Sequence, residues 1–174
     1  PMVTNRAPYQ AIGMLLVGDR RICTGSLVGN DLVLTSAHCL GASFTGEQDK
    51  ITFHLGFRQR KQTAASRVKN IYRGTAFPLK NREQDWAVLQ LDIPLGAKFG
   101  YLEPVVPTAG ASFPVTVAGY SVDFFQRYGE PGVHHNCRVH YKYNQLLRHD
   151  CDSDSGASGG PILAFFKNKT VKLV

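Results

Sequence analysis

Three short segments hold residue types that together can attack a carbonyl: Leu34-Thr35-Ser36-Ala37-His38-Cys39, Gln84-Asp85-Trp86-Ala87-Val88-Leu89-Gln90-Leu91 and Gly156-Ala157-Ser158-Gly159-Gly160-Pro161. A serine hydroxyl is a poor nucleophile unless a base removes its proton as the new bond forms. The oxyanion that results must be met by backbone N–H groups already in place. Glycines on both sides of Ser158 allow the turn that aims its hydroxyl outward and bring the N–H groups of Gly156 and Ser158 toward one point. His38 offers the base. Asp85 opens a strongly apolar strand, where a carboxylate has to sit at an edge or be paired; it is the candidate to orient the imidazole. Each has an ordinary reading by itself: a Gly-Ser loop, a structural histidine, a turn-capping aspartate. Together, in the chain order His, Asp, Ser, they supply base, orienting group and nucleophile.

Short strands are what such residues need behind them. Ala11–Val17, Ile22–Val28, Leu32–Thr35, Ile51–Leu55, Val68–Tyr72, Ala87–Leu91, Val115–Ala118, Arg138–Tyr143, Ile162–Phe166 and Val171–Val174 are rich in β-branched and aromatic residues and are punctuated by Gly, Asn, Asp and Pro. No segment keeps a helical period, although a single turn after His38 fits. The pattern predicts an all-β barrel or sandwich. Pro94, Pro104, Pro107 and Pro114, mixed with Gly96, Gly100 and Gly110, mark an extended connector, because proline cannot donate to a central ladder. The expected organisation is a first β lobe over 1–93 carrying His38 and Asp85, a connector over 94–114, and a second β lobe over 115–174 carrying Ser158.

Composition sets the outer bounds. The chain has 174 residues, 43% hydrophobic and 19% charged, with a formal net charge of +7. That is ordinary for a soluble globular protein with a real core, and no apolar run approaches the ~20 residues of a membrane span. Much of the positive charge falls in Arg58–Arg73 (Arg58, Arg60, Lys61, Arg67, Lys69 and Arg73). No nucleic-acid motif or aromatic interleaving accompanies it, so it reads as a solvated loop or edge strand and not as a nucleic-acid site. The four cysteines, Cys23, Cys39, Cys137 and Cys151, contain no C-x-x-C pair; an even count in separated pairs suits disulfides, an oxidising compartment and a secreted or periplasmic location. His134, His135, Cys137 and His140 could be a zinc cluster, but a disulfide at Cys137 leaves only strand-spaced histidines, and neither metal nor cofactor is expected. Asp152 with Asp154 reads as pocket lining or solvent-facing, Trp86 as core, and the sequon Asn168-Lys169-Thr170 as a hairpin turn.

Taken together, the motifs resemble the chymotrypsin/trypsin superfamily of serine peptidases. Thr35-Ser36-Ala37-His38-Cys39 is similar to its T/S-A-A-H-C box, with one extra polar residue. Asp85-Trp86-Ala87-Val88-Leu89 is similar to D-I-A-L-L, Pro8-Tyr9-Gln10 to P-Y-Q, Cys23-Thr24-Gly25-Ser26-Leu27 to C-G-G-S-L, and Cys151–Pro161 to D-S-C-Q-G-D-S-G-G-P. Tyr9–Gly13 and Val117–Tyr120 resemble the bacterial secreted trypsin-like and glutamyl-endopeptidase-like branch. The likeness covers nearly the whole chain. It implies two antiparallel six-stranded β-barrels, the second incomplete here, with the active site between them. It further implies a disulfide between Cys23 and Cys39, leaving Cys137 with Cys151, each worth roughly 3 kcal/mol by loop closure. The implied activity is that of a serine endopeptidase acting on protein or peptide substrates.

The match departs in three places. Ala157 stands where most members carry an aspartate beside the nucleophile, and Pro1 does not resemble their I-V-G-G start, so activity is expected not to rest on that ion pair. The family continues beyond the equivalent of Val174 with a substrate-pairing strand and a helix; a second polypeptide completing the fold is therefore expected. Asp152, with Ser153 beside it, stands six residues before Ser158, where trypsin-like members carry the pocket-floor aspartate that would select Arg or Lys, yet the bacterial branch often carries an aspartate at this spacing without such selectivity. The rival reading of the whole chain is a catalytically inactive, peptidase-like binding or regulatory protein.

Overall fold

The computed structural model describes residues 5–18, 21–41, 50–57, 59–76, 78–107, 112–144, 146–166 and 170–174. Arg58, Gly110, Asn168 and Lys169, which entered the readings of the basic segment, the connector and the sequon, lie outside them.

Six antiparallel strands make the first half: β1 (Ile12–Val17), β2 (Arg21–Leu27), β3 (Leu32–Thr35), β4 (Ile51–Leu55), β5 (Ala64–Arg73) and β6 (Ala87–Leu91). They close into a barrel in the order β1-β2-β3-β6-β5-β4. Alternation in β4 and β6 puts every second residue inside, as the two-residue period of a strand requires. Ile12, Leu15, Leu27, Val33, Ile51, Phe53, Leu55 and Leu89 are wholly buried there, each contributing about 1.5–3 kcal/mol of apolar burial. The same core runs on to Ala118, Leu163 and Leu173 of the second half, so the two halves share apolar contacts.

The second half is a six-stranded sheet ordered β10-β9-β8-β11-β12-β7. It is built from β7 (Glu103–Pro104), β8 (Phe113–Gly119), β9 (Gly132–Tyr143), β10 (Leu146–His149), β11 (Ile162–Phe165) and β12 (Val171–Leu173). All its pairings are antiparallel except β12 with β7. A closed barrel beside a second, curled sheet is the double-barrel architecture that the sequence pointed to.

Four features differ from the expectation. The proline-rich stretch is not extended throughout: Pro94 precedes a five-residue helix, α1 (Leu95–Phe99), before β7. A second helix, α2 (Val122–Tyr128), is rich in residues of low helix propensity, and tertiary packing overrides that preference: Phe125 lies edge-on to Phe57 at 5.3 Å and against Tyr120 at 5.8 Å. The basic residues of β5 sit in a closed barrel and not on an edge strand, with Arg67 and Lys69 on its outer face. Trp86 is 42% exposed and is not core.

Candidate active site

His38 sits in a single 3-10 turn, Ala37–Leu40, directly after β3. Asp85 ends a short 3-10 turn, Arg82–Gln84, immediately before β6. Strands β3 and β6 pair antiparallel, with Thr35 opposite Ala87, so the end of one and the start of the other lie side by side. That register delivers the two side chains to each other. Asp85 Oδ2 is 2.7 Å from His38 Nδ1, and Asp85 Oδ1 accepts the His38 backbone N–H at 2.8 Å. Both carboxylate oxygens are thereby used on one residue, which fixes the carboxylate and the ring together. The pair is partly sheltered, with side-chain exposures of 36% for His38 and 22% for Asp85.

Ser158 lies in the loop between β10 and β11, and a chain of backbone bonds shapes that loop. The Ser155 carbonyl accepts from Val122 N–H at 2.7 Å, and the Ala157 carbonyl accepts from Gly160 N–H at 2.9 Å. In a planar trans peptide the C=O and N–H point opposite ways. Anchoring these two carbonyls therefore turns the N–H groups of Gly156 and Ser158 to the other side. Among the described hydrogen bonds, neither of those N–H groups is used inside the protein. Asp154 closes the turn, its carbonyl accepting from Ala157 N–H at 3.0 Å and its carboxylate from Ser155 N–H at 2.6 Å.

Two glycines are obligatory here. Gly156 has φ +92° and Gly159 φ +79°, where a side chain is strained. A Cβ on Gly156 would stand 2.4 Å from the Tyr120 carbonyl oxygen, and one on Gly159 would stand 2.1 Å from Thr35 Oγ1 and 2.9 Å from Ser36 N. The loop thus nests against the residues that lead into the His38 turn. The Ser158 carbonyl accepts from Thr24 N–H at 2.8 Å, and the Cys39 sulfur lies 3.7 Å from the same oxygen. His38, Gly156 and Ser158 line one cleft of about 570 Å³, whose other walls include Cys23, Cys39, Leu79 and Lys80.

Asp152 and Ser153 fall elsewhere. With Asp123, Asp154, His134 and His135 they border a second cavity of about 330 Å³, on whose wall Ala157 also stands and from which His38 and Ser158 are missing. The Asp152 carboxylate belongs to an exposed residue, and its backbone N–H donates to His134 Nδ1 at 2.7 Å. Cys23 is bonded to Cys39 and Cys137 to Cys151. The histidines of the would-be zinc cluster have separate partners: His134 the Asp152 amide, His135 the Thr116 hydroxyl, His140 the Asp150 carboxylate. Asp150 is held below the usual carboxylate range, first by the Arg138 backbone N–H and then by His140. Burial pushes the Tyr120 phenol well above its ordinary value.

A trypsin-like peptidase domain profile matches residues 23–171, which takes in the His38 turn, Asp85 and the Ser158 loop. The chain belongs to the trypsin-like peptidase family. Solved structures similar to this trypsin-like peptidase include a Glu endopeptidase, 21% identical over 97% of this chain and 85% of that one, with a TM-score of 0.66. Protease Anisep from Arthrobacter nicotinovorans is 17% identical over 95% of this chain and 82% of its own, with a TM-score of 0.71. A scabies mite inactivated protease paralogue, S-D1, is 20% identical over 94% of this chain and 78% of its own, with a TM-score of 0.66. At these identities the likeness is one of fold.

One well-placed residue escapes the motif reading. Thr24 is wholly buried and bonds to both sides of the domain. Its only mark in the sequence is that it stands where the resembling C-G-G-S-L segment has glycine.

Proposed function

We propose that this trypsin-like peptidase is a serine endopeptidase whose nucleophile is Ser158, whose general base is His38 and whose orienting carboxylate is Asp85. The observation that carries the reading is the two-point grip of Asp85 on His38, at 2.7 and 2.8 Å, on a cleft that Ser158 also lines. With Nδ1 engaged, His38 Nε2 takes the Ser158 proton as Oγ bonds to the scissile carbonyl carbon. Asp85 steadies the imidazolium so formed. The N–H groups of Gly156 and Ser158 hold the oxyanion. As the tetrahedral species collapses, the C–N bond breaks and the leaving amine receives the proton from Nε2. Water, deprotonated by the same imidazole, then releases the acid and restores Ser158. Ala157 offers no carboxylate for an amine, and the loop is already held by Asp154, Val122 and Thr24; this supports activity without an ion pair at that position.

Preference for Arg or Lys through Asp152 is the finer part of this reading, although its cavity lies apart from His38 and Ser158 and meets their loop only at Ala157. Asp123, Asp152 and Asp154 line that cavity together with His134 and His135, and the three acidic residues favour Arg or Lys over a glutamate side chain. Preferred cleavage after Glu, the activity named for one structural neighbour, would reject this assignment. The two disulfides support an oxidising compartment, secreted or periplasmic.

Peptide ester hydrolysis by the parent and Ser158→Ala tests the nucleophile. The variant is expected to fold and to lose on the order of 10⁶-fold in kcat; unchanged turnover would remove Ser158 from its role. Similarity to an inactivated paralogue keeps one rival in view, a peptidase-like binding protein, for which the parent itself would be inert.

A further inference from the structure

We infer that Thr24 is a positioning residue for the oxyanion donors, acting through a hydroxyl lodged between the Gly156 carbonyl and the Tyr120 amide. The inference deepens the proposed serine-peptidase reading and rests on it for its catalytic part. Thr24 lies in β2 of the closed barrel, yet three of its bonds reach the other half. Its Oγ1 donates to the Gly156 carbonyl at 2.8 Å and accepts from Tyr120 N–H at 2.9 Å; its backbone N–H donates to the Ser158 carbonyl at 2.8 Å. Its own carbonyl accepts from Thr35 Oγ1 at 2.7 Å, which ties it to the strand that ends at the His38 turn. One hydroxyl has a single hydrogen to give, and here it goes to Gly156 while one of the two lone pairs takes Tyr120 N–H.

The consequence follows from peptide geometry. The Gly156–Ala157 peptide is gripped at both ends, at its carbonyl by Thr24 and at its N–H by the Asp154 carbonyl. At a glycine with φ +92° nothing in the residue itself prevents that peptide from turning over. Turning it over moves the Gly156 carbonyl and the Ala157 N–H directly; the Gly156 and Ser158 amides sit in the peptides on either side, and they keep their common direction only while the Gly156 ψ and Ala157 φ between them are held. A valine has nearly the same shape as threonine but neither donates nor accepts. It would leave a buried carbonyl and a buried amide without partners and remove the lock on the loop.

The test compares the parent with Thr24→Val and Thr24→Ser by ester kinetics and by hydrogen exchange of the Tyr120 amide. In T24V, kcat is expected to fall on the order of 10–100-fold with KM changed less than about 3-fold, as for a group that acts on the oxyanion and not on binding. T24S, which keeps the hydroxyl, should stay within about 3-fold of the parent. Tyr120 exchange should accelerate at least about 10-fold in T24V and not in T24S. Parental kcat in T24V, equal losses in T24S and T24V, or an unmoved Tyr120 amide would each overturn the inference. If T24V does not fold, Thr24→Ala takes its place; failure of both to fold while T24S is sound would make the hydroxyl a folding requirement and overturn the positioning role. An inert parent would instead count against the serine-peptidase reading, and Tyr120 exchange would still decide whether Thr24 locks the loop.

Discussion

The two halves of this peptidase contribute to one cleft by different means. The closed barrel supplies side chains: an imidazole and a carboxylate brought together by the β3–β6 register and joined at two points. Beside the Ser158 hydroxyl, the second half supplies backbone: a loop whose carbonyls are anchored one after another so that selected amides turn the other way. In the proposed mechanism, residue identity at two positions decides what the first half contributes, and the surroundings need only hold the strands. In the second, identity matters at Ser158 and where a Cβ has no room, and the hydrogen-bond pattern carries the rest. A side-chain device fails by losing a functional group; a backbone device fails by losing its shape.

That contrast can be broken by mutation, beginning with its largest consequence. Beside the loss expected for Ser158→Ala, Asp85→Asn should lower kcat by about 10⁴-fold, because an amide presents the wrong partner to Nδ1. Urea unfolding should barely move. A variant with near-parental kcat would show that the His38–Asp85 pair is structural only. The two disulfides offer a matched pair, with sequence separations of 16 and 14. Replacing either with serines should cost roughly 3 kcal/mol of stability. Only loss of Cys23–Cys39, which follows His38 and touches the Ser158 carbonyl, should also depress activity in the folded protein. Equal activity losses from both would dissolve the distinction between the halves.

Gly159→Ala probes the backbone half directly. Strain at φ +79° and the crowding against Thr35 and Ser36 should lower stability by about 1–3 kcal/mol and reduce kcat although no functional group is removed. A stable, fully active variant would contradict the account of the loop. The smallest effect is at Asp150. Its lowered pKa means that its charged form is favoured by folding. That contribution is present above the ordinary carboxylate range and is lost as pH falls through the folded-state value. Asp150→Asn should therefore reduce the urea midpoint slightly at about pH 7 and leave it unchanged near pH 2; the opposite ordering would refute the assignment.

The sequence exposes these halves unequally. His38, Asp85 and Ser158 are visible because a base, a carboxylate at the head of an apolar strand and a glycine-flanked serine are unusual residues for their places. Strands β3, β4 and β6 are legible to the residue because short runs rich in apolar and β-branched residues are bounded there by Gly, Asn, Asp or Pro. Helix α2 is not, since Val122, Phe124 and Phe125 carry strand-like propensities and the packing that favours the helix, Phe125 on Phe57 and Tyr120, is long-range; the flanking Ser121 and Gly129 are its one local signal. Trp86 misleads because a large apolar residue just before a strand is usually buried, and here it is exposed. Thr24 is hidden for a further reason: its importance lies in contacts with residues 96 and 132 positions away in sequence, which no local pattern encodes.

Stoichiometric labelling with a serine-directed phosphonylating reagent, mapped by peptide mass spectrometry, reaches the central claim most directly. One adduct per chain on Ser158, formed far more slowly when His38 is replaced by alanine, is the predicted result. A folded protein that takes no adduct, takes it on another serine, or reacts at the same rate without His38 would contradict the claim that the imidazole of the first half activates the hydroxyl of the second.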